Sequence, residues 1–250
     1  MSADRRADLE VHLRGPGNEP IDLWRTLNSH GFSDLAPLQL DEPTRSLSLT
    51  LPVSGGRPRR VRIAPGRKDH ASLEIGGGAA GPRVRAAIRD AAMRVLHLDH
   101  DLSAFYATAE DDGDLAWASA GAGRMLRSPT VFEDVVKTIC TTNCSWGLTV
   151  TMVNALVIHL GEPAIGATGA RTNAFPSAAA MATEPESFYR EVVRAGYRAP
   201  RFATSPERWP RATWTSSAWE TPHATSCPTT RSKGSCSRFP VSGRTQPPTS

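Results

Sequence analysis

Cysteine is scarce in this chain, with four in 250 residues: Cys140, Cys144, Cys227 and Cys236. They make no C-x-x-C pair with a second pair or nearby histidines, which excludes the common zinc arrangements and offers no disulfide framework. Cys140 and Cys144 stand one helical turn apart and read as buried free thiols in a reducing compartment. Long apolar runs are lacking too. No window approaches the roughly 18 residues of a membrane-spanning helix, and the opening MSADRRADLEV has no apolar signal core. These absences point to a cytoplasmic protein with no membrane, metal or other cofactor requirement. Residues 201–250 lack Leu, Ile and Met altogether, and Ser, Thr and Pro supply 25 of those 50 positions. Such a segment has too little to bury to form a core.

What is present suffices to fold, since 39% of the residues are hydrophobic. The formal charge is +4 and the pI about 9.1. Seven Arg and Lys against two Glu put a net +5 on residues 201–250, so residues 1–200 carry −1. Overall basicity is therefore weak support for a nucleic-acid partner.

Over residues 1–80 the apolar residues alternate. Leu9, Val11 and Leu13 share a face, Ile21 to Leu27 reads as a short helix, and Leu47, Leu49, Leu51 and Val53 line one side of a strand. A turn over Ser54-Gly55-Gly56-Arg57-Pro58 returns the chain through Val61 and Ile63, and Leu73 and Ile75 add another strand. The result is a small antiparallel sheet with one dry face. Arg57, Arg59, Arg60, Arg62, Arg67 and Lys68 load its hairpin, either as a solvated face or as a phosphate-contacting patch. Gly76-Gly77-Gly78-Ala79-Ala80-Gly81 matches G-x-G-x-x-G, but the preceding strand alternates where a buried parallel strand would be apolar throughout, so a linker is the better reading than a dinucleotide site.

Arg83 to Leu96 is an amphipathic helix, and His97-Leu98-Asp99-His100-Asp101 ends it. Two histidines and two aspartates suggest a metal cluster, yet this spacing is ordinary helix-end chemistry. Asp114 to Leu126 reads as another helix with Trp117 as its core anchor.

Ser128 to Gly161 organises the rest. Thr130-x-x-Glu133 fits a capping box, and Phe132, Val135, Val136, Ile139 and Cys140 form a helical stripe. Thr141-Thr142-Asn143 breaks it. A second helix starts at a Ser145 cap, with Trp146, Val150, Val153, Leu156, Val157 and Leu160 inward and Gly161 as its stop. Further on, Thr183-x-x-Glu186 opens a helix that Gly196 ends, delivering Tyr197 and Arg198 on a turn. On local grounds alone Tyr197 is a packing tyrosine and Arg198 a ligand of helix-end carbonyls.

The helix pair resembles the early helices of the helix-hairpin-helix DNA glycosylases (the HhH-GPD superfamily), and Leu102-Ser103-x-Phe105-Tyr106 also fits the family pattern. The resemblance covers about residues 20–200. It implies that Asn143 enters the gap left by an extruded base, and that Gly196-Tyr197-Arg198-Ala199 supplies a tyrosine wedge and an arginine facing the orphaned partner base, as in the 8-oxoguanine branch. The sheet is similar to the N-terminal domain of the alkyladenine branch. Leu148 stands where the 8-oxoguanine branch has a second arginine, so alkylated bases remain open as substrates. The implied partner is double-stranded DNA containing a damaged base, bound by a monomer.

Residues 201–250 resemble a shifted reading frame. Combining the third base of each codon with the first two of the next lets Thr229 to Ser250 re-read as DEVERELLAFPGVGPYAAAHI, in which FPGVGPYAA has the hairpin signature of the family. A tyrosine then occupies the place of the lysine kept by bifunctional members, which implies a monofunctional hydrolytic parent. The expected fold class is α+β: an antiparallel domain over 1–80, the first part of a helical glycosylase domain over 81–200, and an aberrant, unstructured tail over 201–250. With the hairpin and the catalytic aspartate absent from the chain as written, the expectation is a base-excision-repair N-glycosylase by descent that does not turn over. It is also expected to be poorly stable, with apolar surface exposed around Val135 and Val153. The rival reading is a non-catalytic DNA-binding or interaction protein that uses the Arg57 to Lys68 face and the basic tail.

Overall fold

The computed structural model describes residues 8–203. The readings made for residues 204–250, the shifted frame among them, lie outside the described residues.

Five strands form one antiparallel sheet: β1 (Leu9–His12), β2 (Gln39–Asp41), β3 (Ser46–Val53), β4 (Gly56–Pro65) and β5 (His70–Ile75), in the order β1-β5-β4-β3-β2. Alternation sets the register, with Leu47 opposite Ile63 and Leu49 opposite Val61 on the dry face. The β3–β4 turn is tighter than the sequence suggested. Val53 already pairs with Gly56, and Gly55 takes the left-handed φ of 71° that closes so short a connection. Helix α1 (Leu23–Leu27), capped by the Asp22 carboxylate, and helix α2 (Pro82–Val95) complete this layer. Ile88, Ala92 and Val95 of α2 are fully buried in one cluster with Leu49, Ile63 and Leu73. Burying each such Leu or Ile contributes about 1.5–3 kcal/mol.

Every pairing among the five described strands is antiparallel, so the Gly76 to Gly81 segment follows a strand with antiparallel neighbours. Its glycines serve the backbone: Gly76 N–H donates to Arg60 O at 2.8 Å, and a Cβ on Gly166 would stand 2.4 Å from the Gly76 carbonyl carbon. Beyond the end of β5, Ile165 pairs with the free edge of β4, exchanging bonds with Arg60 N (3.0 Å) and Pro58 O (2.8 Å). The second face of the sheet is tied down as well. Thr50 Oγ1 donates to Thr172 O at 2.7 Å, and buried Arg60 donates to Pro37 O and Thr50 Oγ1.

After α2 the chain turns at His97, whose φ is 56°. The turn is held by arginines: the buried Arg124 guanidinium bonds the carbonyls of His97 and His100 and pairs with Glu19, while Arg127 pairs with Asp99 at 3.2 Å. Helix α3 (Ser103–Glu110) follows, anchored by Tyr106, whose hydroxyl donates to Ala122 O at 2.7 Å. The helix expected over Asp114 to Leu126 shrinks to a 3-10 turn at Ala116–Ala120. Trp117 is 58% exposed with Arg25 over its ring, not a core anchor. Alanines and glycines around it provide no apolar stripe to bury.

A second core gathers α4 (Val131–Thr141), α5 (Trp146–Leu160), α6 (Ala178–Ala182), α7 (Glu186–Glu191) and α8 (Ala199–Phe202) around Val136, Met152, Val153, Leu156, Tyr189 and Phe202. Val153 is fully buried, contrary to the expectation that its face would lie open; Val135 is half-exposed. Thr130 caps α4 by accepting from Glu133 N–H at 3.2 Å, but the Glu133 carboxylate does not close the expected box. It turns inward to Lys137 Nζ at 2.6 Å, and both side chains are buried. The second expected box fails likewise: α7 starts after Pro185, and the Thr183 hydroxyl bonds Ala180 O.

Candidate functional site

Helices α4 and α5 are joined by residues 142–145, and the join is an exposed tip. Ser145 begins α5 by accepting from Leu148 N–H at 3.3 Å. Thr149 Oγ1 and Cys144 Sγ, each 3.1 Å from Cys140 O, close the hairpin from inside. Burial pushes the Cys140 thiol up to about 12, so it is a packing group and not a nucleophile. Asn143 takes the left-handed region at φ 45°, which asparagine tolerates better than most residues. Its side chain is thereby presented outward.

The distant Gly196-Tyr197-Arg198 segment is a 3-10 turn that leads into α8. It meets the tip directly. The Tyr197 hydroxyl lies 2.9 Å from Thr142 Oγ1, 3.3 Å from Thr142 O and 3.4 Å from Asn143 Nδ2, although Asn143 and Tyr197 are 54 residues apart in sequence. Tyr197 remains 56% exposed. Its hydrogen bond with Thr142, ahead of those from Asn143 and the charge of Arg198, holds the phenol below its usual value.

Arg198 is placed differently. It is 3% exposed and turned into the protein. Its Nε donates to Ile139 O at 3.0 Å and Thr142 Oγ1 at 3.1 Å, its Nη1 donates to Ala195 O at 3.3 Å, and its guanidinium carbon lies 4.4 Å from the centre of the Tyr197 ring. The arginine thus ties the last turn of α4 to the turn carrying Tyr197, as the local reading of a helix-end ligand describes. Nη2 is buried without a hydrogen-bond partner.

The sequence thus singles out three residues, and the structure brings all three together. It also adds Thr142, which bonds both Tyr197 and Arg198, and Trp146. The periodicity of α5 predicts an inward Trp146, but it is 44% exposed. Val153, Leu156 and Val157 are buried as their spacing predicts, Val150 and Leu160 pack against the same core, and Thr149 and Met152 complete the buried set. Asn143, Tyr197 and Thr142 are exposed hydrogen-bonding or aromatic groups, and Arg198 is buried beneath them.

The fold of the described residues is similar to that of DNA glycosylases of known structure. Its solved relatives include a 3-methyladenine DNA glycosylase from Archaeoglobus fulgidus, 17% identical over 79% of this chain and 67% of that one, with a TM-score of 0.60. MBOgg1 in complex with a low-affinity DNA ligand matches at 17% identity and TM-score 0.56, over 82% of this chain and 63% of its own. The Clostridium acetobutylicum 8-oxoguanine glycosylase/lyase, bound to double-stranded DNA with cytosine opposite 8-oxoguanine, matches at 15% identity and 0.53, over 82% and 66%. The chain therefore spans about two thirds of the length of these proteins. No protein-family model and no curated protein matches the sequence.

Proposed function

We propose that this chain is a DNA-binding protein of the base-excision type, related to monofunctional N-glycosylases, whose α4–α5 tip engages double-stranded DNA at a damaged base. The observation that carries this reading is the meeting of Asn143 and Tyr197 at one exposed edge, across 54 residues of sequence, in a fold shared with DNA glycosylases. A base extruded from a duplex leaves a gap that must be refilled, and a flat exposed phenol backed by a cation is suited to wedge into the stack. Asn143 has amide donors and an acceptor for the edge of a neighbouring base. Arg198 acts from beneath, as the residue that positions Tyr197 and Thr142.

In the parent chemistry the damaged base is flipped out and its N-glycosidic bond hydrolysed, with a carboxylate stabilising the positive sugar or activating water. The tip cluster contributes none, and its proposed part is to bind the duplex and not to excise the base. The rival reading, non-catalytic binding through Arg57 to Lys68, has less support, because Arg57, Arg59, Arg60, Arg62 and Arg67 all bond to protein groups.

The test is binding of the purified protein to duplexes with 8-oxoguanine, an alkylated purine, an abasic-site analogue or no lesion, with single-turnover excision followed in parallel. Preference for the lesion or abasic duplex, lost in Tyr197→Ala at the cost of one stacking contact, about 1–3 kcal/mol, and reduced in Asn143→Ala, is the expected result. Binding indifferent to the lesion and to Asn143→Ala, yet abolished by removing charge from Arg57 to Lys68, would establish the rival. Measurable excision would overturn the expectation that the chain does not turn over.

A further inference from the structure

Trp146 opens α5 three residues after Asn143 and is 44% exposed, while the residues that flank it, Ser145 and Gly147, are exposed as well. A large aromatic side chain left at the surface forgoes much of what its burial would contribute, so its setting requires a reason. The setting is specific. The six-membered part of the indole lies against Gly31, in the 3-10 turn at Gly31–Asp34: a Cβ built on Gly31 would stand 3.1 Å from Cζ2 and 3.2 Å from Cη2. Gly31 is not among the positive-φ residues, so the turn itself does not require glycine there. The missing side chain instead leaves the space that the indole edge occupies.

That turn is itself held in place. Phe32 N–H donates to His30 Nδ1 at 3.2 Å, which makes the neutral ring carry its proton on Nε2 and donate to Leu126 O at 2.7 Å. The ring of Trp146 therefore has one edge fixed by a braced turn from far earlier in the chain and remains partly exposed next to the tip. Gly147, the next residue, has no described atom within 4 Å of where its Cβ would be.

We infer that Trp146 is a second stacking surface, which receives a nucleobase displaced from a duplex while Tyr197 occupies the stack it left. The inference rests on the proposed DNA-binding function and adds to it a binding residue outside the Asn143–Tyr197 cluster. The chemistry is sequence-tolerant, because every base presents a π face to the indole, and the pinned edge means that little side-chain freedom is lost on binding.

The experiment compares affinity for a duplex with one unpaired, bulged nucleotide and for the same duplex fully paired, for the wild type, Trp146→Ala, Trp146→Phe and Gly31→Ala. Trp146→Ala is expected to lower the preference for the bulged duplex at least five-fold, the low end of what loss of one base–aromatic stack produces. Trp146→Phe should keep most of the preference. Gly31→Ala, which displaces the ring without removing it, should also lower the preference, and its combination with Trp146→Ala should cost no more than Trp146→Ala alone. The dependence of paired-duplex affinity on salt should be the same in all four, since no phosphate contact is altered. Wild type that prefers the bulged duplex, with a Trp146→Ala variant that keeps the preference, overturns the inference and leaves the DNA-binding reading standing. Wild type that binds neither duplex overturns both.

Discussion

The buried Glu133–Lys137 pair offers the sharpest test of the physical reasoning. Both side chains are essentially inaccessible, and Oε1 and Nζ are 2.6 Å apart one turn along α4, with Lys137 also 5.7 Å from the centre of the Phe175 ring. At an effective dielectric of about 20 their attraction is about 6 kcal/mol, while removing two ions from water costs several kcal/mol each, so the pair as a whole contributes little net stability. Breaking it is another matter. Lys137→Met leaves a carboxylate in the core without its cation, at a cost of about 3–5 kcal/mol, or a fall in Tm of about 6–20 °C for a folded region of this size. Burial already raises the Glu133 pKa against the opposing effect of Lys137, and loss of the lysine raises it further. A carboxyl whose folded pKa exceeds its unfolded one is relieved as the pH falls through the folded value. Lys137→Met should therefore be most unstable near pH 8 and recover toward the wild type as the pH approaches the ordinary glutamate range. The double variant Glu133→Leu/Lys137→Met should unfold within about 2 kcal/mol of wild type, because no lone charge remains. Urea denaturation of the three variants at pH 8 and pH 5 decides it. A Lys137→Met loss below about 1 kcal/mol, or a double variant as unstable as the single, would refute the account.

Two further outcomes follow from local geometry. His97 is held down to about 4, first by burial and then by Arg127, so below the ordinary histidine pKa the unfolded chain takes up a proton that the folded chain refuses; stability should fall as the pH drops from about 6.5 to 4. Discounted for the partial exposure of the ring, the loss is about 1–2 kcal/mol, and His97→Asn, which tolerates the φ of 56°, should flatten that part of a stability-against-pH curve. Gly166→Ala adds a Cβ 2.4–2.7 Å from the Gly76 and Gly77 backbone at a φ of 80°, and should lower stability by more than about 2 kcal/mol in thermal unfolding, whereas Gly55→Ala, with open space around it, should lose only the cost of its φ.

Much of the sheet was legible because period-2 alternation fixes both element and face: Leu47, Leu49, Leu51, Val61 and Ile63 all lie where their spacing puts them. Strand β2 was not, since three residues with exposed ends have no alternation to read. Helices α4 and α5 stand where the periodicity puts them and most of their expected apolar residues join the second core, but Val135 and Trp146 lie exposed and the helix expected over Asp114 to Leu126 is only a 3-10 turn. Along α5 apolar residues occupy nearly every side, so hydrophobicity fixes the phase only loosely and packing adds Thr149 and Met152 to the buried set. On α4 the buried set is Glu133, Val136, Lys137 and Cys140. Its spacing of i, i+3, i+4 and i+7 is perfect, and it was hidden because an acidic and a basic residue one turn apart ordinarily read as a solvated pair. A salt bridge of the right handedness on a helix otherwise poor in outward charge was the signal available.

At the site the residue types were legible and their orientation was not. A motif names Tyr197 and Arg198 as neighbours, but a 3-10 turn sends adjacent side chains to different sides, one outward and one inward. That division makes Arg198 the joint between two segments far apart in sequence. Its Nε reaches Ile139 O and Thr142 Oγ1 while Nη1 reaches Ala195 O, a fork that the single ammonium of lysine does not reproduce. Arg198→Lys keeps the charge and removes the fork, while Ile139 O keeps its bonds from Thr142 and Ala195 O keeps the backbone N–H of residue 198, so a stability loss of about 1 kcal/mol is expected from the lost side-chain bonds. The more telling readout lies at the surface. If Arg198 positions Tyr197, Arg198→Lys should weaken discrimination of lesion-bearing from intact duplex as Tyr197→Ala does, and the two changes together should cost little more than either alone. Were Arg198 instead a direct reader of the base opposite the lesion, Arg198→Lys would alter the preference for one opposing base over another and leave the effect of Tyr197→Ala undiminished.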